Sequence, residues 1–120
     1  MAVTHLEATR NGIADYVVDQ LDNGTLIFYA ANGTTEVATL SFAATAFGPA
    51  AAGVATAGTI TPDTAATGGT TTIASLATSG ASEIVDCSVG ISGADINLSN
   101  NVIGAGDTVS ISALTYTAPL

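Results

Sequence analysis

Few side chains in this 120-residue sequence have types and spacings that could do chemistry. His5 is the sole histidine. A Ser-His-Asp relay needs an imidazole held between a nucleophile and an acid. His5 instead stands two residues before Glu7, in what reads as the first turn of a helix, where a solvated ring is expected. Cys87, the sole cysteine, lies in the strand-like run IVDCSV. It has no partner for an internal disulfide, and a small packed side chain is the expected role. Asp95 and Asp107, with Asn97, Asn100 and Asn101, offer the oxygen ligands that Ca²⁺ takes, but without the spacing of an EF-hand loop. Asx side chains in turns ordinarily bond their own backbone, so no metal site is assigned. Gly68-Gly69 and Gly104-Ala105-Gly106 match neither a phosphate loop nor a dinucleotide fingerprint and read as turns. The expectation is a chain with no catalytic residues, no cofactor and no metal: not an enzyme.

The composition narrows the partners. Charged residues are 9% of the chain, against about 25% in ordinary soluble domains. Lys and Arg together number one, Arg10, against ten Asp and Glu, for a formal net charge of −9. Such a chain cannot neutralise phosphates, so nucleic acid is not an expected partner. Salt bridges must be few, and stability must come from packing, hydrogen bonds and neighbouring chains. No apolar run approaches the roughly 18 residues of a membrane span, so no membrane is expected either. Met1-Ala2-Val3 lacks the basic start and apolar core of a signal peptide, which points to synthesis in the cytoplasm. Ala, Thr, Ser and Gly dominate, and they suit flat surfaces that another chain can approach closely. Depletion of charge marks the cores of buried interfaces, which favours a subunit partly covered in an assembly.

The elements that would carry such a surface follow from the periodicities. The length suits one domain, residues 1–120, with a helical segment in 1–23 and a β-sandwich in 24–120. Residues 4–21 predict a helix, opened by a capping box between Thr4 and Glu7. Leu6, Ile13, Val17 and Leu21 share its apolar side with Ala14 beside them, while Arg10, Asp15, Asp19 and Gln20 can face water. Residues 25–31 (TLIFYAA) and 36–42 (EVATLSF) predict a hairpin around Asn32-Gly33, which would supply the positive-φ positions. Leu26, Phe28, Leu40 and Phe42 then face the core. The 43–53 segment breaks the pattern. There Phe47 is either an anchor tucked under the domain or a contact for a partner. Strands follow at 54–60, 70–78 and 83–89, with a short extended piece at Ile96 and Leu98, and the last strand is 107–117. In that strand Val109 and Ile111 fall on one side but Leu114 and Tyr116 on the other. This predicts a β-bulge near Ser112-Ala113, unless both faces are covered. Seven or eight short strands at this turn spacing predict a mainly β fold, an antiparallel sandwich or jelly-roll-like domain with one N-terminal helix.

The blocks VVDQLDNGTLIFY, ATLSFAATAFGPAAAGVATAGTITPDTAATGGT, VGISGADINLSN and GDTVSISALTYTAP, in that order, span nearly the whole chain. Together they resemble a family of small tailed-phage and prophage virion proteins similar to capsid cement, or decoration, proteins. The chain departs from that family in its lack of basic residues and in a plain TTTIASLAT strand. The resemblance implies a bacteriophage capsid protein on the outer surface of the head, bound to the major capsid protein and associating with itself as a dimer or trimer. Leu6, Ile13, Val17 and Phe47 are the candidate contacts. A tail, neck or fibre-attachment role is the alternative within the same family. A carbohydrate-binding module is a third reading, opposed by the absence of Trp and the presence of only three Tyr.

Overall fold

The computed structural model describes residues 4–111 and 113–118. The protein is mainly β, a sandwich-like domain with one N-terminal helix, as its strand-and-turn spacing predicts. In chain order the elements are α1 (Glu7–Asp19), β1 (Thr25–Tyr29), β2 (Glu36–Phe42), β3 (Val54–Thr56), β4 (Ile60–Thr61) and β5 (Gly69–Thr70). Then come β6 (Ile73–Ala77), β7 (Glu83–Gly90), β8 (Ile96–Asn97), β9 (Val102–Ile103) and β10 (Thr115–Thr117). Six strands form the main sheet in the order β4-β2-β1-β6-β7-β8, and β10-β3 and β5-β9 form two small ribbons. All pairings are antiparallel except β7 with β8, joined in parallel over two residues after the 91–95 turn.

The β1–β2 hairpin builds the centre. Leu26 pairs with Leu40, Phe28 pairs with Ala38, and all four are fully buried. The strands are β-branched and aromatic because such side chains pack well on a pleated, half-covered surface. The turn is wider than a two-residue loop. Only Gly33 takes a positive φ, of 71°. Asn32 works instead through its side chain, whose Oδ1 accepts the Thr34 and Thr35 amides at 3.0 and 2.9 Å. On the other side β1 pairs with β6, placing Phe28 opposite Ala74 and Leu26 opposite Leu76. These residues share one core with Phe42, Phe47, Ala55, Val18 and Leu21, contributed by β2, the 43–53 segment, β3 and the helical region. The rings of Phe42 and Phe47 lie 5.8 Å apart at 48°, a favourable tilted arrangement.

Several expected elements are broken where the backbone serves two partners. The 54–60 run is two short strands with Gly58 between them: β3 pairs with β10, and β4 extends the main sheet beside β2. The closing 107–117 strand is likewise divided. Val109 makes an isolated bridge to Asp63, and chain pairing resumes only at β10. Ser112, half of the predicted bulge, lies outside the described residues. Described register shifts occur instead at Phe28/Tyr29 and at Leu76/Ala77. The 70–78 run is also split, with β5 paired to β9, a ribbon the periodicity did not suggest.

Candidate functional site

The helix differs from its amphipathic reading. It begins at Glu7 with Leu6 as the N-cap in an extended conformation and no side-chain cap, so the predicted capping box does not form. Thr4 sits too far upstream: a capping side chain acts from the residue just before the helix. The inward stripe is Ala14 and Val18, continued by Leu21 just beyond the helix. The small Ala14 allows α1 to lie close on the β3–β10 ribbon.

Polar residues also turn inward, onto the backbone of the irregular 43–53 segment. Asp15 Oδ1 accepts the Ala50 amide at 2.8 Å, and Asn11 Oδ1 accepts the Gly53 amide at 2.7 Å. Just past the helix, Asp22 Oδ1 accepts the Ala46 amide at 2.8 Å. Arg10, expected to face water, is half-buried; its Nη2 donates to the Ala118 carbonyl at 3.3 Å. Its Nε is buried without a partner among the described residues. Gly48 and Ala51 donate to the Thr56 and Val54 carbonyls; amides of the segment without such a partner must be satisfied elsewhere, and at Ala46, Ala50 and Gly53 the helical region supplies the acceptor.

Two large apolar side chains of the helical region stand in solvent among polar neighbours such as Thr9, Asp19 and Gln20. Leu6 is 81% exposed and Tyr16 is 72% exposed. Ile13 and Val17, one turn apart, are half-buried along the flank. Of the candidate contacts, Leu6, Ile13 and Val17 therefore lie on or beside one accessible helix surface. Phe47 is only 4% exposed and packs in the core, yet it also forms the floor of a cleft on the helix's other flank. That cleft, about 280 Å³, lies between Asp15 and Asp19 on α1 and Thr45, Gly48 and Pro49 on the facing segment.

The carboxylates have a shared fate. Eight of the ten accept a hydrogen bond from the chain's own amides or hydroxyls. Glu7 and Asp19 accept none from the described residues. Asp63 and Glu36 each accept two: Asp63 Oδ2 takes the Thr39 amide at 2.8 Å and Oδ1 the Ala65 amide at 2.9 Å, while Glu36 takes the Thr39 and Thr67 hydroxyls at 2.7 and 2.6 Å. Asp95 and Asn97, weighed above as Ca²⁺ ligands, hold the 91–95 turn. Asp95 Oδ2 accepts the Ser88 amide, and Asn97 Oδ1 accepts the Ala94 amide, both at 3.0 Å. Asp107 Oδ2 accepts the Gly104 amide at 2.9 Å.

Groups with chemical potential stay apart. His5 is exposed at the helix start. Cys87 is half-buried on β7, and burial, followed by the nearby Asp95 and Asp86 charges, pushes its thiol pKa up. Tyr29 donates its hydroxyl to Glu83; that bond, then burial and the surrounding carboxylates, push its pKa up to about 12. Both shifts keep the proton on, the opposite of what a nucleophile needs. No group of three or more His, Cys, Asp or Glu converges among the described residues. No described helix is long and apolar enough to cross a membrane.

Comparison with known proteins finds no matching family model, no matching curated protein and no matching solved structure.

Proposed function

We propose that this protein is a bacteriophage capsid cement protein that docks on the outside of the assembled head and stabilises contacts between major capsid proteins. The observation that carries this reading is a pair of exposed apolar side chains at the helix, Leu6 at its N-cap and Tyr16 within it, while Asn11 and Asp15 are spent on internal backbone amides. Burying such side chains against a partner is favourable at about 25 cal/mol per Å² of apolar area. The phage assignment itself rests on the ordered sequence blocks described above.

The mechanism is mass action. A protein that binds only the assembled shell stabilises it by its differential affinity for that state. Repeated copies around symmetry axes make a dimer or trimer the natural form. The acidic, lysine-free composition suits an exterior position away from packaged DNA.

Cryo-electron microscopy of the purified virion tests this. Density for the chain at regular positions between capsomers, with α1 against the shell, is the expected result. Density confined to the tail or neck would replace the head assignment with the other virion role. Absence from the virion by mass spectrometry would discard both.

A further inference from the structure

We propose that Asn32, in the turn between β1 and β2, is a site of self-modification that converts to aspartate or isoaspartate through a cyclic imide formed with Gly33. The reaction needs only water. The Gly33 nitrogen gives its proton to solvent base and bonds to Asn32 Cγ; the Cγ–Nδ2 bond breaks, and Nδ2 takes up a proton and leaves as ammonia. Water then opens the imide on one side or the other. One opening gives aspartate, and the other gives isoaspartate, whose main chain runs through the β-carbon. Nothing is oxidised or reduced, and either product adds one negative charge to the formal −9.

The sequence has three Asn-Gly pairs, Asn11-Gly12, Asn23-Gly24 and Asn32-Gly33. Glycine favours the attack because no side chain crowds its nitrogen, but the fold treats the three differently. Asn11 lies inside α1, where the Gly12 amide belongs to the helical ladder, and its Oδ1 is spent on the Gly53 amide at 2.7 Å. Asn23 is exposed, but Gly24 is buried. The Gly24 amide donates to the Leu21 carbonyl at 2.7 Å, its carbonyl accepts the Phe42 amide, and a β-carbon there would overlap the Ala77 carbonyl oxygen. Attack at either pair needs the helix or the sheet to open. Asn32 is exposed at the hairpin tip, and around Gly33 there is room: a β-carbon would meet nothing nearer than Ile73 Cδ1, at 4.0 Å. A single bond restrains the nucleophile, from the Gly33 amide to the Ala30 carbonyl at 2.9 Å, and its opening disturbs only the turn.

The turn also supplies groups that serve the reaction. Negative charge develops on Asn32 Oδ1 as the nitrogen adds to Cγ. The Thr34 and Thr35 amides already donate to that oxygen, at 3.0 and 2.9 Å, a pair of backbone donors of the kind that stabilises an oxyanion. Thr35 Oγ1 accepts from Nδ2 at 2.7 Å, in reach to pass a proton to the departing nitrogen.

The test incubates the intact folded protein at mildly alkaline pH and follows each asparagine by mass spectrometry, with isoaspartyl methyltransferase to label the isoaspartate product. Chymotrypsin, cutting after Tyr16, Leu21, Leu26 and Tyr29, places the three pairs in separate peptides. Asn32 is expected to convert roughly tenfold or more faster than Asn11 and Asn23 in the native protein, and the three rates should converge in urea. Asn32→Asp keeps an acceptor for both turn amides and should abolish the fast phase of ammonia release. Conversion of Asn11 or Asn23 in the native protein as fast as Asn32 overturns the proposal, and so does an Asn32 that stays intact when folded but converts in urea. Thr35→Val should slow conversion and Thr35→Ser should restore it; an unchanged rate in Thr35→Val overturns the proton relay.

Discussion

Arg10 lies where Gly53 has no side chain. A β-carbon on Gly53 would sit 2.6 Å from Arg10 Cζ, and the glycine holds φ at 76°, in the left-handed region. The same glycine gives its amide to Asn11 and its carbonyl to the Ala118 amide. One residue thus joins the helix, the 43–53 segment and the end of β10. Gly53→Ala should cost about 1–3 kcal/mol through backbone strain and the displaced guanidinium. Urea denaturation checks the magnitude. Trypsin supplies a second readout, because Arg10 is the only Lys or Arg in the chain. Cleavage there requires local opening of α1, so Gly53→Ala should be cut faster than wild type under native conditions.

Phe47 and Leu6 should separate folding from docking. Phe47 is buried against Phe42, so Phe47→Ala should destabilise the domain by about 3–5 kcal/mol. Leu6→Ala, at an exposed site, should change stability by no more than about 0.5 kcal/mol. Thermal melts of both variants beside binding to heads check the pair. Leu6→Ala should weaken binding with an unchanged melt.

The Tyr29–Glu83 bond sets an alkaline limit. The fold holds the phenol protonated and raises its pKa to about 12 from an ordinary value near 10. Its contribution to stability is therefore fully present below pH of about 10 and is lost as pH rises through about 12. Phenolate absorbance in a Tyr16→Phe/Tyr116→Phe background should show this late titration. Glu83→Gln removes the charge that disfavours phenolate, so the midpoint should fall towards about 10.

Cys87 should react slowly. Its thiol pKa is raised first by burial and then by the Asp95 and Asp86 charges, so thiolate is scarce at neutral pH. Alkylation by iodoacetamide at pH of about 7.5 should be roughly tenfold or more slower in the folded protein than in urea. Equal rates would mean that the core-facing side of β7 opens freely.

The hairpin was legible because two signals agreed there: alternation in TLIFY and EVATLSF, and a turn pair between them. Residues Leu26, Phe28, Leu40 and Phe42 are buried as that alternation requires. The helix was legible in existence but not in orientation. Hydropathy ranks Leu6, Ile13, Val17 and Leu21 as the inward side with Ala14 beside them; Leu21 and Ala14 are buried, but Val18 joins them while Leu6 is exposed and Ile13 and Val17 are half-buried. Alanine carries little hydropathy signal, yet its size permits close approach to a ribbon. Arg10 and Asp15 read as solvent-facing, and Asn11 drew no reading, because nothing local reveals that an amide 35 or 42 positions away needs an acceptor or that a carbonyl 108 positions away needs a donor. The divided strands escaped for the same reason: Val109 and Thr115–Thr117 have different partners, and the break is set by pairing. The cleft of Asp19, Phe47 and Pro49 joins residues whose adjacency depends on that docking.

The anchoring of the 43–53 segment bears on how freely its sequence can vary. Asp15, Asp22 and Asn11 grip main-chain amides, and every residue except proline carries one. The grip therefore reads the backbone of the gripped residue and not its side chain, although Gly53 must stay glycine for its positive φ and the Arg10 guanidinium beside it. Substitution tolerance should consequently be lopsided: Ala46 and Ala50 are constrained by the space around their side chains, Ala52 by its positive φ of 52°, and the exposed Ala51 is freer. The exposed part of the loop can then be rewritten while the helix keeps its shape.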